Sequence, residues 1–367
     1  MSDLPEKLYY DVLVSNLLNK TTVPPQLIFN QTRSTPYLKK PDEYLMSIVR
    51  WTLDTQSLPI FRPTIKPDSE DVNETIYSIT LEYNGKFFKK FINFEPQNEA
   101  IQAPVAPKFQ PNQLQDNSNS YYDIYSYSYW IYLVNEAFKS CFEGLAEQTD
   151  VSNTFAPVMT FDTALKIAII NADVEAYSLK LDNPIKIYFN TALGNLFSSF
   201  PFKIVSSDQT RGMNFQLQPD VFDFTVIDFP PYGETQFAAI QVFQEYSTVA
   251  SWNPVAAICV MSNTLGVIQN VEGMPTLFLN DTVINGSGNN SLSSNLITDF
   301  VADNFKPNII YIPSAEYRRI EMVGSTPLSN LDISVFWRDR VGSMIPFRLA
   351  SGGSCTMKIM FEKKHKY

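Results

Sequence analysis

Histidine is almost missing from this chain. The single copy, His365, is the third residue from the end. That excludes Ser-His-Asp and Cys-His nucleophilic chemistry and histidine metal sites. Cysteine is nearly as scarce. Cys141, Cys259 and Cys355 lie far apart, which argues against a disulfide scaffold or a zinc site and for three small buried hydrophobes. Neither GxxxxGK[ST] nor GxGxxG occurs, so there is no phosphate-cradling loop. Gly352-Gly353 reads instead as a turn between two strands. No cofactor is expected. Charged residues make up only 18% of the chain, below the usual quarter. Asn, Gln, Ser and Thr take their place. No apolar run is long enough for a membrane-spanning helix. The start, Met1-Ser-Asp-Leu-Pro-Glu-Lys, carries no signal-peptide pattern. The expectation is a soluble, reduced, intracellular protein, and the sequons at Asn19, Asn30, Asn73, Asn280, Asn285 and Asn289 then reflect an Asn-rich composition.

Aromatic residues are plentiful, at 14% of the chain with 27 Phe and 19 Tyr. They favour pleated, half-buried surfaces. The 24 Pro and 13 Gly are spread along the chain, which suits many short strands joined by turns. The net charge of −10 repels phosphates, so broad nucleic-acid binding is not expected. Lys363, Lys364 and Lys366 form a short basic tail. It reads as a solvated terminus, or as a weak foot on a membrane or a genome.

Strand patterns dominate. Thr75-Ile-Tyr-Ser-Ile-Thr-Leu-Glu-Tyr alternates with period two. Asn84-Gly85 then turns it into Lys86-Phe-Phe-Lys-Lys-Phe-Ile-Asn-Phe, a strong hairpin signal. Residues 97–120 are rich in Gln, Asn and Pro and read as an exposed loop. A tyrosine-dense run at 121–129 leads into one convincing helix over about 128–148. There Trp130, Leu133, Val134, Ala137, Phe138, Cys141, Phe142 and Leu145 follow the i, i+3, i+4, i+7 rule. Many short strands, frequent turns and few helices predict an all-β fold, a sandwich or barrel. The polar stretch at Ser206–Arg211 is the candidate boundary. It divides the chain into a β-rich lobe with the helix at 1–205 and a second β lobe at 206–367.

Three groups of residues deserve weighing for function. Tyr125 and Tyr127 would suit an aromatic binding platform, though such runs more often serve core or interface packing. Arg318-Arg319 and Arg338-Asp339-Arg340 are the densest charge clusters. Their forks suit bidentate ion pairs, within the fold or across a subunit interface. The carboxylates Asp220, Asp223 and Asp228, and the pair Asp332 and Asp339, are the remaining route to catalysis, as in a glycosidase. Aspartates at strand ends more often serve turns, so the chain is not read as an enzyme.

The stretches Trp252-Asn-Pro, Ile258-Cys-Val-Met-Ser-Asn-Thr-Leu, Ile297-Thr-Asp-Phe, Tyr311-Ile-Pro-Ser-Ala-Glu-Tyr-Arg-Arg-Ile, Leu331-Asp-Ile-Ser-Val-Phe-Trp-Arg-Asp and Met357-Lys-Ile-Met-Phe-Glu-Lys-Lys go further. Together they resemble the C-terminal half of jelly-roll capsid proteins from Polinton-like and virophage-type DNA viruses. The match covers about a third of the chain and rests on strand pattern. It implies a virion shell component with one or two eight-stranded jelly rolls, assembled inside the host cell. It implies a homo-oligomer, a pentamer or trimer, in contact with other capsid proteins. The length leaves vertex, minor and short major capsid roles open. A glycan- or receptor-binding sandwich of a viral spike is the alternative. A weakly charged surface fits a shell, because net-charge repulsion grows with every copy added.

Overall fold

The computed structural model describes residues 6–16, 26–67, 69–97, 106–108, 120–151, 154–205, 210–220, 225–231, 236–267, 276–279, 282–283, 295–301, 308–312, 318–340 and 342–364. Two compact units divide it. One comprises Met1–Pro59, Asn98–Gln102 and Pro254–Tyr367, the other Ile60–Gln97 and Ala103–Asn253. In chain order the second unit is an insertion into the first.

The first unit opens with β1 (Lys7–Ser15), β2 (Ile28–Thr32) and β3 (Tyr44–Asp54). The inserted unit carries β4 (Glu74–Tyr83), β5 (Lys86–Asn93), α1 (Tyr127–Ala146), β6 (Val158–Asp162), β7 (Ile167–Asp173), α2 (Val174–Tyr177), β8 (Lys186–Phe189) and α3 (Thr191–Leu196). It continues with β9 (Phe202–Ile204), β10 (Phe215–Leu217), β11 (Thr225–Phe229), β12 (Phe237–Phe243) and α4 (Val249–Trp252). The first unit then resumes with β13 (Val255–Ser262), β14 (Thr276–Leu279), β15 (Thr282–Val283), β16 (Asn295–Phe300) and β17 (Asn308–Tyr311). It closes with β18 (Ile320–Glu321), β19 (Asn330–Asp339), β20 (Ser343–Pro346) and β21 (Ser354–Lys363).

One sheet of the first unit runs β1-β21-β3-β17, with β18 beside β3. The other contains β19-β13-β16, with β2 on the free side of β19 and β20, β14 and β15 as short additions. Without the additions, and with β17 and β18 counted as one interrupted strand beside β3, eight strands remain, interleaved between two sheets, with the first and last paired. That interleaving is a jelly roll. The inserted unit has sheets β5-β4-β8-β10-β9 and β11-β12-β7-β6, built largely from hairpins between sequence neighbours. The described residues therefore form one jelly roll, not two. The boundary expected at 205/206 falls inside the inserted unit. Two continuous lobes are ruled out by β21, which pairs with both β1 and β3.

Local sequence explains the elements. Asn84 and Gly85 turn the β4–β5 hairpin with φ of 50° and 75°, the left-handed geometry for which Asn-Gly is favoured. Helix α1 buries Trp130, Leu133, Val134, Ala137, Phe138, Cys141 and Leu145, the stripe read from its period except for Phe142, which is half-buried, and packs against β4, β5 and β6. Its Gly144 is needed for that approach, since a Cβ there would come within 2.5 Å of the Phe88 ring. In the jelly roll, Trp51, Ile48, Val260, Val335, Trp337, Met357, Ile359 and Phe361 share one core. Trp51 meets Phe300 edge-on at 4.4 Å and donates its indole N–H to Cys355 Sγ at 3.0 Å. A second cluster on β13 and β19 contains Ala257, Cys259, Met261 and Phe336. Both faces of β13 are thus buried, which explains its unbroken apolar run.

Trp337 tests the core assignment. Trp337→Ala is expected to lower the stability of the jelly-roll unit by about 3–5 kcal/mol. Urea denaturation checks this, and a change under about 1 kcal/mol would put Trp337 outside the core.

Candidate assembly surfaces

The sheet β1-β21-β3-β17 turns one face to the core and the other outward. On β1 the residues alternate, with Lys7, Tyr9, Asp11 and Leu13 exposed and Val12 buried. Pairing sets these side chains in rows across the sheet. Leu13 lies opposite Thr356, Thr356 opposite Thr52, and Thr52 opposite Ile310. The two threonine hydroxyls are hydrogen-bonded at 2.5 Å. At the row's ends Leu13 is 64% and Ile310 71% exposed, with Ile312 at 72% and Tyr9 at 53% nearby in sequence. The next row is ionic: Asp11 lies 3.7 Å from Arg50 and 3.4 Å from Lys358. Isolated exposed apolar residues are ordinary, but an outward sheet face with several of them marks a contact surface.

The arginines take two places. Arg318 donates to Thr298 Oγ1 at 2.8 Å and to the Asp299 carbonyl at 2.7 Å. Its guanidinium and that of Arg338 both face the Asp299 carboxylate, at 3.7 and 3.5 Å. Arg319 instead meets Glu362 at 3.0 Å, a carboxylate that also holds Lys7 at 3.2 Å. Arg340 is exposed at the turn after β19. The structure thus brings Arg318 and Arg338 together and separates them from Arg319, its neighbour in sequence. Tyr125 and Tyr127 are half-buried at the start of α1. The Tyr127 ring stacks on Phe161 at 5.0 Å and meets Trp252 edge-on at 5.8 Å. The Tyr125 N–H donates to Gln97 Oε1 at 2.9 Å. Tyr127 thus acts in packing.

Among the described residues the carboxylates form no opposed catalytic pair. Asp220 is buried in the inserted unit and accepts the Ser178 hydroxyl at 2.5 Å. Asp223 lies outside the described residues, and Asp228 is exposed on β11. Asp332 is buried in the jelly roll. It accepts from Ser262 Oγ at 2.6 Å and from the N–H groups of Asn263 and Thr264, each at 2.8 Å. Burial pushes its pKa up, but these bonds outweigh it and the carboxyl titrates below its ordinary value. The three thiols are buried, and desolvation pushes Cys141 up to about 12 and Cys259 and Cys355 to about 11. They are poor nucleophiles at neutral pH.

Residues 8–363 match the family model of the Sputnik minor capsid protein V18/19. The chain belongs to this family. Two Sputnik virophage proteins are similar in sequence. An uncharacterised protein V18 is 33% identical over 144 residues, 39% of this chain and 86% of that protein. The structural protein V19 is 30% identical over 217 residues, 54% of this chain and 90% of that one. A chain in the 3.5 Å cryo-EM structure of the Sputnik virophage superposes with a TM-score of 0.82 at 28% identity, covering 99% of this chain and all of that one. The mavirus penton protein shares the fold with a TM-score of 0.64 at 15% identity, covering 98% of this chain and all of that one.

A member of the V18/19 family is a structural component of a virus capsid and not an enzyme. It works in the virion, in an oligomeric shell with other capsid proteins. The resemblance read from the C-terminal strands is thereby borne out. The exposed Tyr9, Leu13, Ile310 and Ile312 went unassigned in sequence, because their strands read as apolar without showing which face is covered.

Asp332 yields a pH prediction. Its folded pKa is lowered, so its ionised form stabilises the fold above the unfolded value of about 3.9, and that contribution fades as pH falls through the folded value. Asp332→Asn should therefore cost about 1–3 kcal/mol at neutral pH, with the gap to wild type narrowing in acid. Unfolding midpoints at neutral and acidic pH measure this, and an unchanged gap would contradict it.

Proposed function

We propose that the chain builds capsid vertices as a ring of five copies. The carrying observation is the single jelly roll per chain. Capsid proteins that tile pseudo-hexagonal faces as trimers use two rolls per chain, whereas one roll per chain suits a five-fold position. The shared fold with the mavirus penton protein supports the same reading. On this reading the outward face of β1-β21-β3-β17 makes the contact between copies. Leu13, Ile310, Ile312 and Tyr9 supply apolar area, Arg319 beside Glu362 of β21 supplies a charged contact at its margin, and Arg318, Arg338 and Arg340 offer charged contacts on the side of the other sheet. Tyr125 and Tyr127 are not needed for the ring. Assembly inside the host cell suits three buried free thiols. The basic tail is given a minor part: the backbone of Lys363 and Lys364 is tied to Glu6 and Glu43, both side chains are half-buried, and Lys366 lies outside the described residues.

Native mass spectrometry and electron microscopy of the purified chain test the ring. Five-fold closed rings are expected. Leu13→Asp and Ile310→Asp should each weaken ring formation by about tenfold or more, one buried aliphatic contact being worth about 1.5–3 kcal/mol. A wild-type protein that stays monomeric or forms trimers would overturn the proposal.

A further inference from the structure

The inserted unit contains a cleft of about 430 Å³, within the size range of small-ligand sites. Three segments wall it: the stretch after α3, the end of β10 and the end of β12. Hydrogen bonds between the segments hold it open in one shape. The Glu245 N–H donates to the Ser199 carbonyl at 2.9 Å, and the Gln218 N–H donates to the Pro201 carbonyl at 2.8 Å. The Ser199 hydroxyl donates to the Tyr246 carbonyl at 2.5 Å. A site built this way gives up little conformational entropy when a ligand enters.

Its chemistry is selective. Among the described residues no lysine, arginine or histidine lines the cleft, and Glu245 is its one charged side chain. Phosphate, sulfate and carboxylate ligands are therefore disfavoured, since none would find a counter-charge and each would face a carboxylate. What the cleft offers is hydrogen-bond acceptors beside aromatic faces. Gln241 donates its amide N–H to Asn171 Oδ1 at 3.0 Å, which orients its carbonyl oxygen as an acceptor. Gln218 likewise donates its amide N–H groups to backbone carbonyls, at 3.3 Å. Glu245 adds two acceptor oxygens. Beside them stand Tyr246, 59% exposed, and Phe243, 42% exposed. Acceptors that take hydroxyl protons, set next to rings that cover C–H faces, are what a sugar ring requires.

We infer that this cleft binds a neutral saccharide of one or two pyranose rings. It is a recognition site separate in its residues from the surface assigned to ring assembly. A capsid protein that carries both closes the shell with one unit and contacts glycan with the other.

The test uses the assembled full-length protein. Saturation-transfer NMR and calorimetry would screen methyl glycosides of glucose, galactose, mannose and N-acetylglucosamine, with lactose and diacetylchitobiose. Sialyllactose, a heparin disaccharide and glucosamine serve as charged comparators. At least one neutral probe should bind saturably and more tightly than every charged one. Tyr246→Ala and Glu245→Gln should each weaken it by about tenfold or more. Both residues are exposed, so circular dichroism and oligomer formation should match wild type and separate this result from that for the ring. The proposal fails if no neutral probe saturates or if the charged probes bind best. It also fails if both folded variants bind like wild type.

Discussion

Strand β21 is the member on which the jelly roll depends. It lies between β1 and β3, with nine residue pairs to each. It thereby ties both ends of the chain to the strand that precedes the insertion. Bringing Val12 opposite Met357 closes a very long loop, whose length-dependent entropy alone costs about 5 kcal/mol. The offset comes from what β21 buries: Cys355, Met357, Ile359 and Phe361 all enter the core with Trp51 and Val12. The same weak logarithm makes the insertion tolerable. Each doubling of a connection costs about 0.6 kcal/mol more, and a connection that folds around its own core costs less than a free one. A whole unit can therefore sit between β3 and β13 without loosening the sandwich.

The inserted unit follows a different logic. Its strands pair mainly with sequence neighbours, so its contacts are local and its sheets form at lower entropic cost. One long helix supplies the core that short strands lack. Around Trp130 stand Phe61 at 4.7 Å and Tyr77 at 5.6 Å, while Trp252 meets Phe197 at 5.1 Å and bonds to the Leu196 carbonyl. A buried ion pair, Arg62 to Asp123 at 2.6 Å, adds register more than net stability, since desolvation takes back most of its Coulomb energy.

These two logics explain what could be read from sequence. Period and turn chemistry are local, so α1, the Asn84-Gly85 hairpin and the closing strands were legible. The domain boundary was not. It depends on β21 reaching back to β1 across more than three hundred residues, and no local pattern encodes that partner. The arginines divide the same way. Their clustering is visible in sequence, but Arg318 and Arg319 point to different carboxylates, Asp299 and Glu362, because neighbours on an extended chain project to opposite sides. The cleft near Tyr246 was invisible for a related reason. Its walls come from three segments spread over some fifty residues, joined by bonds such as Glu245 N–H to the Ser199 carbonyl and the Ser199 hydroxyl to the Tyr246 carbonyl.

The arginine pairings also constrain how copies of this chain can meet. Asp299 and Glu362 are each already shared by two cations, so a neighbouring copy finds no idle carboxylate there and meets small clusters carrying one excess positive charge. Contacts of that kind steer and orient more than they bind. On the proposed ring contact, the apolar residues then supply most of the affinity. Burying four of them yields about 6–12 kcal/mol, against an association cost of about 4–15 kcal/mol. One such contact is marginal. A closed ring gives every copy two, and the last copy gains both contacts for a single association cost. The weakness of the single contact therefore favours closed assemblies over open chains, and it lets a misplaced copy leave before the shell is sealed.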